Sequence, residues 1–136
     1  MKSFTRKAMF VAALATAAVV VVAGNAAATR TIKVPSQVTI ESHGLRFSGE
    51  VNTAAAYEPC EQQRKVVLFK VISGGPDQAV GQTTTNNHGK WTITPQGSAG
   101  ISLAHFYAKA KQLSQGTAGT IYVCQAGRSK TVKVSQ

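Results

Sequence analysis

Two cysteines, Cys60 and Cys124, are the residues whose side chains could react with each other, and 64 positions separate them. An even number of cysteines in an exported chain usually forms disulfides, whereas a reactive thiol or a redox pair would need a special environment such as a C-x-x-C motif. No such motif is present. The pair therefore predicts one structural disulfide, which in the chain-entropy model stabilises the fold by about 4 kcal/mol.

Histidines and carboxylates are the residues that could hold a metal ion, but their spacing predicts no site. His43, His88 and His105 are far apart in the sequence, and the first two precede glycines in expected turns. Glu58 and Glu61 could offer oxygen ligands to calcium, yet the chain has no Asp-rich calcium loop. We therefore expect neither a metal ion nor another cofactor.

The residues that usually carry out catalysis show no recognisable arrangement. The five acidic residues form no acid–base pair that the sequence identifies, and a Gly-x-Ser-x-Gly nucleophile motif is absent. Ser73-Gly74-Gly75 is not followed by the Lys-Ser/Thr pair that holds phosphate in a nucleotide-binding loop. The sequence therefore predicts a protein without catalytic residues, not an enzyme.

Aromatic residues next to lysines provide the one candidate for a ligand surface. Four aromatic side chains could stack on sugars: Tyr57, Trp91, Tyr107 and Tyr122. Trp91 alternates with Ile93 and is expected to lie in the core instead. Tyr107 alternates outward with Lys109 and Lys111, so these three residues form the predicted ligand surface. A surface of this kind suits an anionic or glycan polymer.

The first 28 residues have the pattern of a cleaved export signal. Lys2, Arg6 and Lys7 form a basic segment, and an apolar run of 15 residues follows from Met9 to Ala23. The triplet Ala26-Ala27-Ala28 then satisfies the small-residue rule for cleavage. An uncleaved membrane anchor is the alternative, but spanning a bilayer takes about 20 apolar residues. We therefore expect a secreted or cell-envelope protein with no stable membrane span after cleavage.

Residues 29–136 then form one domain, since 108 residues are close to the commonest domain size. The formal charge of +10 falls to about +7 for this part, because three basic residues and no acidic residue leave with the signal. The remaining basic residues are spread along the chain without the stripe typical of nucleic-acid binding. The expected partner is an anionic cell-surface polymer or another extracellular protein, not nucleic acid.

Short β-branched and aromatic segments between turns predict an all-β fold. The clearest alternation is Leu45–Asn52, in which Leu45, Phe47 and Val51 share one face. Arg64–Ile72 is apolar on both faces and should be the most buried strand. With the other segments, the pattern predicts an antiparallel sandwich of about seven to eight strands.

Four segments together resemble the bacterial carboxypeptidase-regulatory-like domains: Ser48–Val51, Arg64–Phe69, Gly81–Ile93 and Phe106–Ala110. The shared pattern is G-x-V, a strand, T-x-T-x-x-x-G-x-[WF]-x-[ILV] and an aromatic strand with a basic end. The pattern spans Leu45 to Val134, which is most of residues 29–136. The resemblance implies an immunoglobulin-like, transthyretin-like sandwich acting as a structural or adhesive module without catalysis of its own.

The transthyretin-like hydroxyisourate hydrolases are a catalytic class of similar fold, and they end in a Tyr-Arg-Gly-Ser motif. This chain ends in Lys130-Thr131-Val132-Lys133-Val134-Ser135-Gln136 and lacks that motif. The resemblance therefore implies no hydrolase activity. The sequence as a whole predicts an exported structural or interaction domain held by one disulfide, with binding of anionic or glycan polymers as the alternative.

Overall fold

A computed structural model of the protein describes residues 29–54, 57–95 and 104–134. The predicted signal peptide, residues 1–28, lies outside the described residues. Among the described ranges there is no helix with the length and apolar character needed to cross a membrane.

The described residues form β-strands and one short 3₁₀ turn, which confirms the all-β prediction. The strands are β1 (Arg30–Val34), β2 (Ser36–Val38), β3 (Glu41–His43), β4 (Arg46–Thr53), β5 (Lys65–Lys70), β6 (Gln78–Thr84), β7 (Lys90–Ile93), β8 (His105–Ala110), β9 (Leu113–Thr117), β10 (Thr120–Cys124), β11 (Gly127–Arg128) and β12 (Val132–Lys133). The 3₁₀ turn is Glu58–Cys60, between β4 and β5.

The large sheet is antiparallel and has the order β11-β8-β5-β6, with β12 on the same edge of β8 as β11. Ser129 separates β11 from β12. Its hydroxyl accepts a hydrogen bond from the Ala108 N–H at 2.8 Å and donates one to the Lys130 carbonyl. A side chain thus replaces the backbone acceptor at this point, and the edge strand is divided in two.

The small sheet is centred on β4, with β2 and β3 on one edge and β7 on the other. Thr39 separates β2 from β3 in the same manner, because its hydroxyl oxygen accepts the Glu50 N–H at 2.9 Å. Divided edge strands are one reason why the structure has more strands than the seven to eight that the sequence predicts.

The two sheets pack face to face through the apolar positions that alternation predicted. Phe47 and Val51 of β4 and Phe106 of β8 are completely buried, and the rings of Phe47 and Phe106 lie 4.8 Å apart. Burial of each such side chain contributes about 1.5–3 kcal/mol. Val66, Val67 and Leu68 of β5 are buried, but β8 has four buried residues, so the prediction that β5 is the most buried strand is wrong. This packing confirms the sandwich.

A third sheet, β1-β10-β9, lies at the end of the molecule that contains the disulfide. No sequence pattern predicts β1 or β9. Strand β1 pairs with β10 in parallel, so this sheet is an addition to the antiparallel sandwich that the sequence predicts. Segment β9 is Leu-Ser-Gln-Gly-Thr, which carries little strand signal; it is extended because a tight turn, with Gly119 at φ 80°, pairs it with β10.

Gly49 of β4 gives a test of this packing. A Cβ atom at this position would overlap the Thr39 carbonyl and would lie 2.9 Å from Cζ2 of Trp91. We expect Gly49→Ala to lower the free energy of unfolding by about 1–3 kcal/mol, as overpacking does, measured by urea unfolding. Gly116→Ala is the control, because a Cβ there meets no atom within 4 Å. Equal stability of the two variants would contradict this packing.

Candidate functional site

The disulfide between Cys60 and Cys124 is present, as predicted. The two Cα atoms are 5.2 Å apart, and both side chains are completely buried. The bridge joins the 3₁₀ turn to β10 and packs against Val34. These cysteines therefore hold the third sheet against the sandwich, and burial keeps the sulfur atoms from reacting with external partners.

The three histidines lie at separate exposed positions. His43 is 3.6 Å from a Glu41 carboxylate oxygen, His88 lies in the turn before β7, and His105 begins β8. The Glu61 carboxylate already accepts hydrogen bonds from Thr53, whose N–H and hydroxyl both donate to one of its oxygens. Within the described ranges no three His, Cys, Asp or Glu residues form a group that could hold a metal ion.

The four aromatic residues do not form one platform. Trp91 is 3% exposed and lies in the core, as predicted. Tyr57 and Tyr122 stack on each other at the disulfide end, with ring centroids 4.7 Å apart. Tyr107 lies on the outer face of the large sheet. No shared sugar-stacking surface is therefore formed by these side chains.

The position of Tyr107 requires a correction. It lies on the outer face of β8, as alternation indicated, but it is only 7% exposed. Phe69 from β5 stacks against its ring at 5.3 Å, and the Arg128 guanidinium carbon lies 3.7 Å from the ring centroid. Because β5 and β11 flank β8 on opposite sides, the tyrosine is covered from both. It cannot serve as an exposed stacking surface.

The Tyr107 hydroxyl is also fixed. It donates a hydrogen bond to Oδ2 of Asp77 at 2.8 Å, while Oδ1 of Asp77 accepts the Ile72 N–H at 3.2 Å. Burial raises the pKa of Tyr107, and the hydrogen bond and charge of Asp77 raise it further, whereas Arg128 acts in the opposite direction. Tyr107 is therefore a rigid, neutral support for Arg128.

Lys109 and Lys111 are exposed on the same face as Tyr107, and two further cations lie directly beside them. Arg128 of β11 is the cross-strand neighbour of Lys109. Lys65 of β5 faces Lys111, whose N–H donates to the Lys65 carbonyl at 2.9 Å. We call these four exposed residues, Lys65, Lys109, Lys111 and Arg128, the basic face.

No carboxylate of the described residues forms an ion pair with the basic face. In the described part of the chain, none of its four residues has a carboxylate within 4.0 Å. Glu41 and Glu50 lie on the small sheet, and Asp77 is bonded to Tyr107. Four cations that are distant in the sequence are therefore adjacent in the fold.

The outer face of the small sheet has a different character. A shallow depression of about 420 Å³ is lined there by Glu41, Ser48, Glu50, Lys90 and Thr92, among others. Both charge signs are present, so this surface has no strong preference for an anion or a cation. The concentrated positive charge makes the basic face the candidate functional site.

Pairing register explains why the sequence indicates only part of this site. Lys109 and Lys111 share a strand face by simple alternation, whereas Lys65 and Arg128 join them only through the alignment of β5, β8 and β11. Alternation assigns a residue to a face, but it does not show which strand lies beside it.

Comparison with known proteins adds no family assignment: no protein-family model matches this chain, and no match was found among curated proteins. The resemblance to carboxypeptidase-regulatory-like domains remains a prediction from the sequence.

Proposed function

We propose that this protein is an exported, non-catalytic interaction domain that binds anionic polymer at the cell exterior through the basic face. The observation that carries the proposal is the pairing of like charges, Lys65 opposite Lys111 and Lys109 opposite Arg128. Like charges directly opposite each other on a sheet are destabilising. A bound polyanion would relieve that repulsion and release its own counterions, as in other polyanion complexes.

A role in solubility alone is the simpler explanation of positive charge, but it fits this arrangement poorly. Solubility is served by both signs interspersed over the surface, without a large field of one sign. Here the four cations are adjacent, the four glutamates lie elsewhere, and the one nearby carboxylate, Asp77, accepts the Tyr107 hydroxyl. Clustering of this kind supports binding.

Export is proposed from the pattern of residues 1–28, and the Cys60–Cys124 bridge supports it because such bonds persist in oxidising compartments. The resemblance to carboxypeptidase-regulatory-like domains suggests the same class of role, a structural or adhesive module. On that resemblance we propose that the sandwich is of the immunoglobulin-like, transthyretin-like type. An extracellular protein with an acidic surface is the alternative partner.

A sedimentation assay with purified anionic cell-wall polymer tests the proposed binding. We expect residues 29–136 to bind at low salt and to be released at high salt, because salt screens exposed charges. Replacing Lys109 and Lys111 by glutamine should weaken binding about thirty-fold, taking about 1 kcal/mol for each cation near an anionic surface.

The control replaces Lys33 and Lys90 by glutamine, since both are exposed and lie away from the basic face. This variant has the same net charge as the first and should bind nearly as well as the unaltered protein. Two results would contradict the proposal: no binding at low salt, or equal losses in the two variants, which would indicate a response to net charge alone.

A further inference from the structure

Arg128 is the one member of the basic face that is oriented by a ring. Its guanidinium carbon lies 3.7 Å from the centroid of Tyr107, so the group is supported by a buried side chain. Tyr107 is itself held by Phe69 and by Asp77. Rigid support reduces the conformational entropy that Arg128 loses when it binds a ligand.

Arg64 and Arg128 differ in whether their guanidinium donors are already used by protein acceptors. The Arg64 guanidinium is completely buried, and its donors are used by the carbonyl oxygens of Cys60, Lys111 and Gln125 and by the Ser36 hydroxyl. The Arg128 side chain is exposed, and among the described residues its guanidinium donates to no protein acceptor. Its donors are therefore available to a ligand.

The chemistry of the neighbouring residues favours a phosphate group as that ligand. A guanidinium forms paired hydrogen bonds with carboxylate or with phosphate. A phosphate group inside a polymer has two non-bridging oxygens, as a carboxylate does, but it holds them in a tetrahedral arrangement. It can therefore accept from Arg128 and from an adjacent lysine that lies outside the guanidinium plane. Lys109 is the direct neighbour of Arg128, and Lys111 is the residue that follows the end of β8.

The surroundings favour a soluble polymer over a membrane surface. Proteins that lie on bilayers usually insert apolar side chains beside their basic residues. The exposed large apolar residues of the described chain are Val71 and Ile121. Ile121 lies in the third sheet. Val71 lies two residues beyond Phe69 on the outer face of the large sheet, where its N–H donates to the His105 carbonyl, and it is the one large apolar side chain exposed on that face among the described residues. One partly exposed valine offers little apolar area for insertion into a bilayer.

We infer that the basic face recognises phosphate groups of an anionic polymer, and that Arg128, supported by Tyr107, is the residue that distinguishes phosphate from carboxylate. The inference rests on the proposed function, because it names the ligand class of the same surface. It assigns Tyr107 a positioning role, since the buried ring contacts Arg128 and not the ligand.

The test measures binding of residues 29–136 to long-chain inorganic polyphosphate and to polyglutamate at matched charge and low salt. We expect the unaltered protein to prefer polyphosphate by about tenfold or more. Arg128→Lys keeps the charge but removes the planar group, so its affinity should fall for both polymers and further for polyphosphate, which lowers the preference to about twofold or less. Arg46→Lys, at an exposed arginine of the small sheet, is the control.

Tyr107→Phe distinguishes the support that the Tyr107 ring gives Arg128 from the hydrogen bond that the Tyr107 hydroxyl makes. It keeps the ring beneath Arg128 but loses the hydrogen bond to Asp77, and it should retain most of the phosphate preference. Tyr107→Leu removes the ring and should behave like Arg128→Lys, provided that its urea unfolding shows a folded protein. Arg128→Lys gives a result even if the leucine variant fails to fold.

The outcomes separate this inference from the proposed function. If Arg128→Lys keeps the phosphate preference while Lys109→Gln with Lys111→Gln weakens binding, the role of Arg128 is wrong and the proposed function stands. If neither polymer binds at low salt, both are wrong. If phosphatidylglycerol vesicles bind more tightly than polyphosphate at equal phosphate concentration, the ligand is a membrane surface and the polymer assignment is overturned.

Discussion

Replacing Arg64 by methionine is expected to lower the free energy of unfolding by about 3–5 kcal/mol. The side chain is completely buried, and each of its nitrogen atoms donates at least one hydrogen bond. Methionine would fill part of the volume and donate none of these bonds. Three carbonyl oxygens and one hydroxyl would then lose a donor in the interior.

The Arg64 guanidinium is unusual because backbone dipoles, not a carboxylate, surround it. The shortest bond joins Nη1 to the Cys60 carbonyl oxygen at 2.6 Å, and Nη2 donates to the Lys111 and Gln125 carbonyls, both at 2.9 Å. Burial lowers the pKa of Arg64, but an arginine stays protonated in proteins. The charge is therefore stabilised by the bonds that the methionine variant lacks.

Urea unfolding followed by Trp91 fluorescence provides the measurement. Arg46→Met is the matched control, since Arg46 is exposed and its replacement should change stability by less than about 0.5 kcal/mol. Arg64→Lys should fall between the two, because an ammonium group has three donors where the guanidinium has five. A loss below about 1 kcal/mol for Arg64→Met would contradict this account of the interior.

Replacing both Cys60 and Cys124 by alanine is the second change with a large expected effect, a loss of about 4 kcal/mol in the chain-entropy model. The bridge closes a loop with a sequence separation of 64 residues. Changing both residues avoids an unpaired thiol. The measurement is urea unfolding of the double variant beside the oxidised protein, and a loss below about 1 kcal/mol would contradict a structural role.

The effects of the disulfide and of Arg64 should not add. Arg64 donates to the carbonyl of Cys60 and to that of Gln125, the residue after Cys124, so both cross-links join the same two segments. Residues that share partners usually show coupling energies of about 0.5–3 kcal/mol. A double-mutant cycle measures this coupling, and strict additivity would show that the two cross-links act independently.

These cross-links also support the candidate site. The carbonyl of Lys111 accepts hydrogen bonds from Nε and Nη2 of Arg64, and the Lys111 N–H donates to Lys65. The Lys65–Lys111 pair of the basic face is therefore held in place by the buried Arg64 side chain. A variant that loosens Arg64 should thus lower both binding and stability. The Lys109→Gln and Lys111→Gln variants should weaken binding without lowering the free energy of unfolding, because each relieves a like-charge pair.

The parts of the fold that depend on local pattern were predictable from the sequence. Alternation in Leu45–Asn52 identified β4 and its buried face, and the apolar segment after Arg64 identified β5. The cysteine count predicted the disulfide correctly. Each of these inferences needs only neighbouring residues or a simple count.

The parts that depend on distant segments were not predictable. Arg64 appears in the sequence as one of many basic residues, because its partners include residues 47 and 61 positions away. Tyr107 was placed on the correct face, but Phe69 and Arg128, which cover it, come from other strands. Alternation in the sequence determines the face to which a side chain points. Its burial also depends on which residues of neighbouring strands pack over it.

Amide chemical shifts of isotope-labelled protein, followed during titration with long-chain polyphosphate at low salt, can locate the binding surface residue by residue. We expect the largest changes at Lys65, Lys109, Lys111 and Arg128, with reversal as salt is added. Glu41 and Ser48, on the outer face of the small sheet, should change little. Changes centred on the small sheet or on the disulfide end, or none at all, would contradict binding at the basic face.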